Sequence, residues 1–167
     1  MNYLHGRKLR AVLEDEPGYY YEGRFAVNQW TSDKNYSKVT IDYDVGPYKW
    51  EYRGSLEDWE WNPFSFETGI IPDSRFRNIS LTTSWRTFTY PVELLGRAPT
   101  CPVFLVSSNP IYVIYTDLRE RTQKQVEIPA GTTQVNSLVF AGEEAIIKMR
   151  SKTGRATVSI DFKRGGL

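Results

Sequence analysis

Apolar and polar residues alternate one for one along most of this chain, and a period of two predicts strands rather than helices. Ser37–Asp44 is the clearest case in the first third: Val39, Ile41 and Tyr43 share one face, and Lys38, Thr40, Asp42 and Asp44 share the other. Ala156–Phe162 repeats the pattern, with Val158, Ile160 and Phe162 facing in and Thr157, Ser159 and Asp161 facing out; Thr153-Gly154 before it reads as a hairpin turn. Asn78–Thr83 alternates around Ile79 and Leu81. Leu9–Leu13 and Tyr19–Trp30 are two further strand regions, the second with Phe25 and Val27 on one face. Ile111–Leu118 (IYVIYTDL) is apolar on both faces and is expected at the centre of a sheet. Pro102–Ser107, Lys124–Ile128, Val135–Phe140 and Ala145–Arg150 complete the set.

The breaks between these runs set the organisation. Glu14-Asp15-Glu16-Pro17-Gly18 reads as an acidic turn, Thr31–Asn35 as a polar one, and Pro129-Ala130-Gly131 as a third. Gly46-Pro47 is expected to end the strand that starts at Ser37. Pro91 breaks the run Arg86–Leu95, which makes it an edge or a bend. Asn2-Tyr3-Leu4-His5 before Gly6, with Arg7 and Lys8 beside it, reads as the end of a helix. One turn of helix does not stand alone, so the natural beginning of the chain is expected upstream. Residues 53–66 (RGSLEDWEWNPFSF) form a junction: Gly54-Ser55 loosens the chain, Trp59, Trp61, Phe64 and Phe66 crowd together, and Asn62-Pro63 forbids regular continuation. The reading is a mainly β protein: a partial sheet with a helix remnant over 1–52, an aromatic linker over 53–66, and a β-sandwich over 67–167.

Composition narrows the functional classes. Across 167 residues, 21 Lys+Arg against 20 Asp+Glu leave a formal charge of +1, without the basic excess that collects phosphates, so no specific nucleic-acid partner is expected. Aromatics reach 14% and Tyr leads them at 11, which suits half-buried surfaces with an apolar body and a polar tip. Cys101 is the single cysteine, which excludes an intrachain disulfide and fits a reducing compartment or a particle assembled in one. No apolar run approaches the roughly 18 residues of a membrane span, and the N-terminus has no signal core.

No catalytic set stands out, and no cofactor or metal is expected. His5 and Cys101 are the only residues of their kinds, too few to fill a zinc site, and a dyad requires two distant segments to meet. No Gly-x-Ser-x-Gly elbow and no Gly-rich phosphate loop is present. Glu14-Asp15-Glu16 lacks oxygen ligands at alternate positions, which favours a solvated turn over a calcium site. Glu57-Asp58-Trp59-Glu60-Trp61 interleaves carboxylates with indoles, as a glycosidase does. Neighbours in one linker rarely oppose each other across a cleft, so the packed-linker reading is favoured and the protein is read as no enzyme. Trp85, Tyr90, Tyr112 and Tyr115 are either sugar-stacking platforms or core; of these, Trp85 and Tyr90 are the candidate glycan contacts.

One block carries a resemblance. Asn2–Gly6, the acidic turn Glu14–Gly18, Tyr21-Glu22-Gly23-Arg24 and the closure Pro47-Tyr48-Lys49 follow one another in the order found in the N-terminal domain of the siphophage distal tail (Dit) proteins, and Thr157–Leu167 is similar to that family's ending. The resemblance implies a ring-domain fragment followed by a galectin-like, jelly-roll sandwich. It implies a structural subunit of a phage or prophage tail tip, made in the bacterial host cytoplasm and carried in the virion tail. In such proteins a hexameric ring joins the tail tube protein to tail-tip and receptor-binding proteins. Tyr21, Gly23, Arg24, Pro47, Tyr48 and Lys49 are its structural residues here, Gly23 where a side chain would clash or φ is positive. The alternative function is a carbohydrate-binding sandwich that recognises a host cell-wall glycan.

Overall fold

The computed structural model describes residues 5–57, 59–60, 70–71, 75–117 and 121–167. The expected helix end falls almost wholly on residues 1–4, and Asp58, Trp61, Phe64 and Phe66 of the junction also lie outside the described residues. Contacts divide the chain into two units, Met1–Tyr52 with Gly166–Leu167, and Arg53–Gly165.

The first unit holds β1 (Lys8–Ala11), β2 (Tyr19–Ser32) and β3 (Ser37–Gly54), antiparallel in that order. Lys8–Ala11 pairs with Tyr21–Arg24, and β2 pairs with β3 from Tyr19↔Glu51 to Ser32↔Ser37. Asp33 N donates to Tyr36 O at 2.8 Å and closes the hairpin at the polar turn the sequence marks. Gly46-Pro47 does not end the strand: β3 runs on to Gly54. Its register shows how. Gly23 pairs with Val45 and Tyr21 with Lys49, so three residues, Gly46 to Tyr48, stand opposite Glu22 alone. A proline lacks an N–H, and a bulge is where a sheet tolerates that loss.

The second unit is a β-sandwich. Its strands are β4 (Trp59–Glu60), β5 (Ile70–Ile71), β6 (Ile79–Leu81), β7 (Arg86–Tyr90), β8 (Val103–Ser107), β9 (Ile111–Asp117), β10 (Thr122–Ile128), β11 (Gly131–Gln134), β12 (Ala145–Ser151) and β13 (Ala156–Asp161), with one helical turn, α1 (Val92–Leu95), after β7. β4 and β5 pair with each other. Two four-stranded antiparallel sheets, β10-β9-β12-β7 and β11-β8-β13-β6, face each other across one core. Ile111, Val113, Tyr115, Ile147 and Met149 come from the first sheet, and Phe104, Val106, Val158 and Ile160 from the second. Each such side chain contributes about 1.5–3 kcal/mol on burial. Phe76, Phe140 and Phe162 fill the core with ring centroids 4.9 and 5.0 Å apart in edge contacts.

The edge expected of Arg86–Leu95 is found, and three other sequence expectations change in the sandwich. Arg86–Leu95 is an edge strand, β7, up to Tyr90; Pro91 then serves as N-cap of α1, and Gly96 ends the turn at φ 78°. Val135–Phe140 is no strand. Leu138 N donates to Val135 O, and Val135 and Leu138 enter the core at turn spacing, while the strand itself lies earlier, at β11. β9 is interior to its sheet, but only one face is fully covered: Tyr112 and Ile114 on the other are half-buried. Gly54-Ser55 does not loosen the chain. Ser55 is buried; its N–H donates to Phe162 O, its hydroxyl donates to Ile160 O at 3.0 Å, and it accepts from Phe162 N at 2.9 Å.

Ile160→Ala is expected to cost about 2–5 kcal/mol in urea unfolding, because a fully buried site cannot collapse around the cavity. Ser55→Ala leaves the Phe162 N–H without its acceptor and is expected to cost about 1–3 kcal/mol in the same measurement.

Candidate functional site

The motif residues of the first unit gather around the base of the β2–β3 hairpin. Tyr21 and Lys49 are register partners. The Tyr21 hydroxyl donates to Glu16 Oε2 at 2.8 Å and Lys49 Nζ donates to Glu16 Oε1 at 2.6 Å, so one carboxylate from the acidic turn binds both strands. The turn is closed by its own backbone, with Glu16 N donating to Leu13 O and Tyr19 N to Glu16 O. Lys49 and then Tyr21 hold the Glu16 carboxyl below its ordinary value of 4.5, and Glu16 holds the Lys49 ammonium and the Tyr21 hydroxyl above theirs.

Gly23 has a steric reason rather than a dihedral one. A Cβ there would lie 2.1 Å from the Asp44 carbonyl oxygen and 2.8 Å from Tyr43 Cε2. The close approach lets the Tyr43 ring stack on Phe25 at 4.1 Å and its hydroxyl donate to Leu9 O at 3.1 Å and Tyr21 O at 2.5 Å. Arg24 Nη1 donates to Gly6 O at 2.9 Å, and Gly6 adopts φ 75° with its N–H on Phe25 O. Tyr48 sits edge-on to Trp50 at 6.5 Å, just past Pro47 in the bulge. These contacts are structural and belong to the hairpin.

Past the last β1 pair, Lys8↔Arg24, the hairpin carries two unlike faces. The pairs Phe25↔Tyr43, Val27↔Ile41 and Trp30↔Val39 stand on one, and Arg24↔Asp44, Ala26↔Asp42, Gln29↔Thr40 and Thr31↔Lys38 on the other. Alternation predicts this division, yet the apolar side is not buried. Trp30 is 56% exposed, Ile41 43% and Val39 42%; Val45 and Tyr36 are exposed as well. A continuous apolar stripe in water is the mark of an interaction surface.

On the sandwich, the two candidate glycan residues part company. Tyr90 is only 4% exposed, stacked on Phe76 at 4.6 Å, and burial pushes its hydroxyl up to about 12; its ring has no free face for a sugar. Tyr115 is likewise core. Trp85 is 41% exposed. Arg150, which alternation alone did not single out, lies with its guanidinium 5.0 Å from the Trp85 ring and 4.9 Å from the Tyr112 ring.

Little else gathers reactive groups. Cys101 Sγ contacts Asn136 O at 3.7 Å, and His5 Nδ1 accepts from Val27 N at 3.2 Å. Among the described residues no three His, Cys, Asp or Glu side chains converge as metal ligands, and no helix is long and apolar enough to cross a membrane. A cavity of about 200 Å³ beside β9 and β12 is lined by Leu138, Phe140 and Ile147, with Glu143 and Glu144 among its walls. Glu57 is exposed, and the side chain of Glu60 lies outside the described residues.

Gly23→Ala is expected to break the pairing at the bulge and destabilise the hairpin by about 1–3 kcal/mol, read as lost amide protection over β2 and β3 in hydrogen exchange. Glu16 gives a pH dependence of defined sign. Its folded carboxyl is lowered, so its stabilisation is present above the unfolded value of 4.5 and lost as pH falls through the lower folded one. Glu16→Gln is expected to flatten that acid limb in thermal melts taken across the range.

No protein-family model matches the sequence, and no curated protein matches it. A solved structure of the Dit protein of phage SPP1, described as a paradigm of the hub adsorption apparatus in phages infecting Gram-positive bacteria, aligns with 96% of this chain and 67% of its own at 14% identity, with a TM-score of 0.48.

Proposed function

We propose that the protein is a structural subunit that assembles through its first unit, as part of the distal tail of a phage or prophage particle. One observation carries the reading: the β2–β3 hairpin holds an apolar stripe, Trp30, Val39, Ile41 and Val45, in water. Burial of such a stripe is favourable only against another surface. The hairpin beneath it is made stiff by the Glu16 clamp and by the tight packing at Gly23, so the stripe is offered in a fixed geometry. A subunit of a ring needs one face that fits a different face of its neighbour. The polar side of the hairpin, with Arg24, Lys38, Asp42 and Asp44, supplies mixed charge for the rim of such a contact.

The order of motifs resembling the distal tail proteins agrees with this role. In that frame the subunit joins a tail tube protein to tail-tip and receptor-binding proteins, and its sandwich is the galectin-like domain. The role is architectural and involves no catalytic step.

Light scattering of the full chain over a concentration series tests the assembly. Association is expected to grow with concentration. The variant carrying Val39→Asp and Ile41→Asp is expected to stay monomeric with an unchanged far-ultraviolet spectrum, since a carboxylate in a dry contact costs several kcal/mol, of the order of 3–5. A wild-type chain that stays monomeric at every concentration and binds no tail component would end the reading. Immunogold labelling of particles from the parent strain should place the protein at the distal end of the tail.

A further inference from the structure

The outer face of the β10-β9-β12-β7 sheet carries a row of side chains that the assembly role does not use. Strand register defines it. Glu127 pairs with Tyr112, Tyr112 pairs with Arg150, and Trp85 follows in line, one residue beyond the last β12–β7 pair, Met149↔Arg86. The neighbouring rows are Gln125–Ile114–Lys148–Thr87 and Gln123–Thr116–Ile146–Thr89. Lys148, Arg150 and Lys152 thus stand at alternate positions along one strand and just past its end, about 7 Å apart. Against these three cations the same rows hold one carboxylate, Glu127, which Lys152 Nζ already neutralises at 2.7 Å.

Arg150 is the centre of the row. Its guanidinium is held between Trp85 and Tyr112, and Lys152 Nζ lies 5.8 Å from the same Tyr112 ring. The guanidinium has no carboxylate partner among the described residues, and its Nε is buried without a hydrogen-bond acceptor. A cation stripped of water on one edge and left without a counter-charge gains more from a bound anion than a solvated one does. The rings keep the side chain from collapsing, so the site is ordered before a ligand arrives. Trp85 leaves part of its ring open to water, the surface on which a sugar's C–H face packs.

We propose that the row Trp85–Arg150–Tyr112, extended by Lys148 and Lys152, binds an anionic glycan: sugar or polyol units bearing phosphate or carboxylate groups. Repeating anions meet the evenly spaced cations, and the carbon skeleton between them packs on Trp85. A single-stranded nucleic acid shares the phosphates but requires a ring for each successive base. Here one indole is open, and the whole chain carries a charge of only +1. The site lies within the second unit and stands or falls independently of the hairpin's role in assembly.

Calorimetric titration of the full chain at low salt tests it with four probes: poly(glycerol phosphate) oligomers, oligogalacturonate, cellohexaose and a short oligodeoxythymidylate. One of the first two is expected to bind, which also decides between phosphate and carboxylate, and affinity should fall as salt rises. Arg150→Gln is expected to weaken that binding about tenfold or more, and Trp85→Ala several-fold, while Lys34→Gln in the exposed hairpin turn leaves it unchanged. Should Arg150→Gln lose its fold by circular dichroism, Lys148→Gln, an exposed side chain, carries the same expectation of weaker binding. The proposal is overturned if neither acidic glycan binds, if cellohexaose or the oligonucleotide binds as well as they do, or if the folded variants bind like the wild type.

Discussion

A pleated strand sends alternate side chains to opposite faces, so a sheet written in alternating residues must find a cover for its apolar side. This protein meets that constraint in two ways. In the second unit the cover is a second sheet, and the row Phe104, Val106, Val158, Ile160 meets the row Ile111, Val113, Tyr115, Ile147 in a closed core. In the first unit the outer hairpin has no such cover among the described residues, and Trp30, Val39 and Ile41 are exposed. The contrast is one of burial: the sandwich covers its own apolar faces, and the hairpin leaves part of its apolar face exposed.

Polar groups settle the details that apolar burial leaves open. Ser55 is stitched to the end of β13 by three hydrogen bonds, which makes the Gly54-Ser55 step, read from sequence as loosening the chain, part of the sandwich. Asp117, nearly buried at the end of β9, is matched by Lys124 at 2.7 Å on the adjacent strand. Tyr115 reaches through the core to the Ser137 hydroxyl, so a large buried ring keeps its polar end satisfied. Glu16 does the same for the hairpin by holding Tyr21 and Lys49 with one carboxylate. Arg150 is an exception. It has rings on both sides and no acceptor for Nε, the state in which a polar group asks for an external partner.

Much of the strand pattern was legible from residue order, because a period of two survives any tertiary arrangement. Ile111–Asp117 and Ala156–Asp161 lie where alternation puts them. The departures from that pattern share a cause: the neighbour that decides each one is not adjacent to it in the chain. Gly46-Pro47 looks like a stop until Glu22 stands opposite and absorbs the surplus residues in a bulge. Val135 and Leu138 look like strand residues until the core takes both from one turn. Tyr90 looks as wet as Trp85 in sequence; Phe76 lies against Tyr90 and Arg150 against Trp85, and neither neighbour is adjacent in the chain.

The sequence by itself determined the class of fold and the division of each strand into two unlike faces. Those properties depend on covalent geometry and on residue type at fixed spacing. Tertiary structure alone decided which apolar faces are dry, which aromatic rings are open, and which charges lack a partner. Each of these is a property of pairs brought together across a sheet, such as Arg150 with Tyr112 or Gly23 with Asp44, and no reading of one strand contains its partner's register.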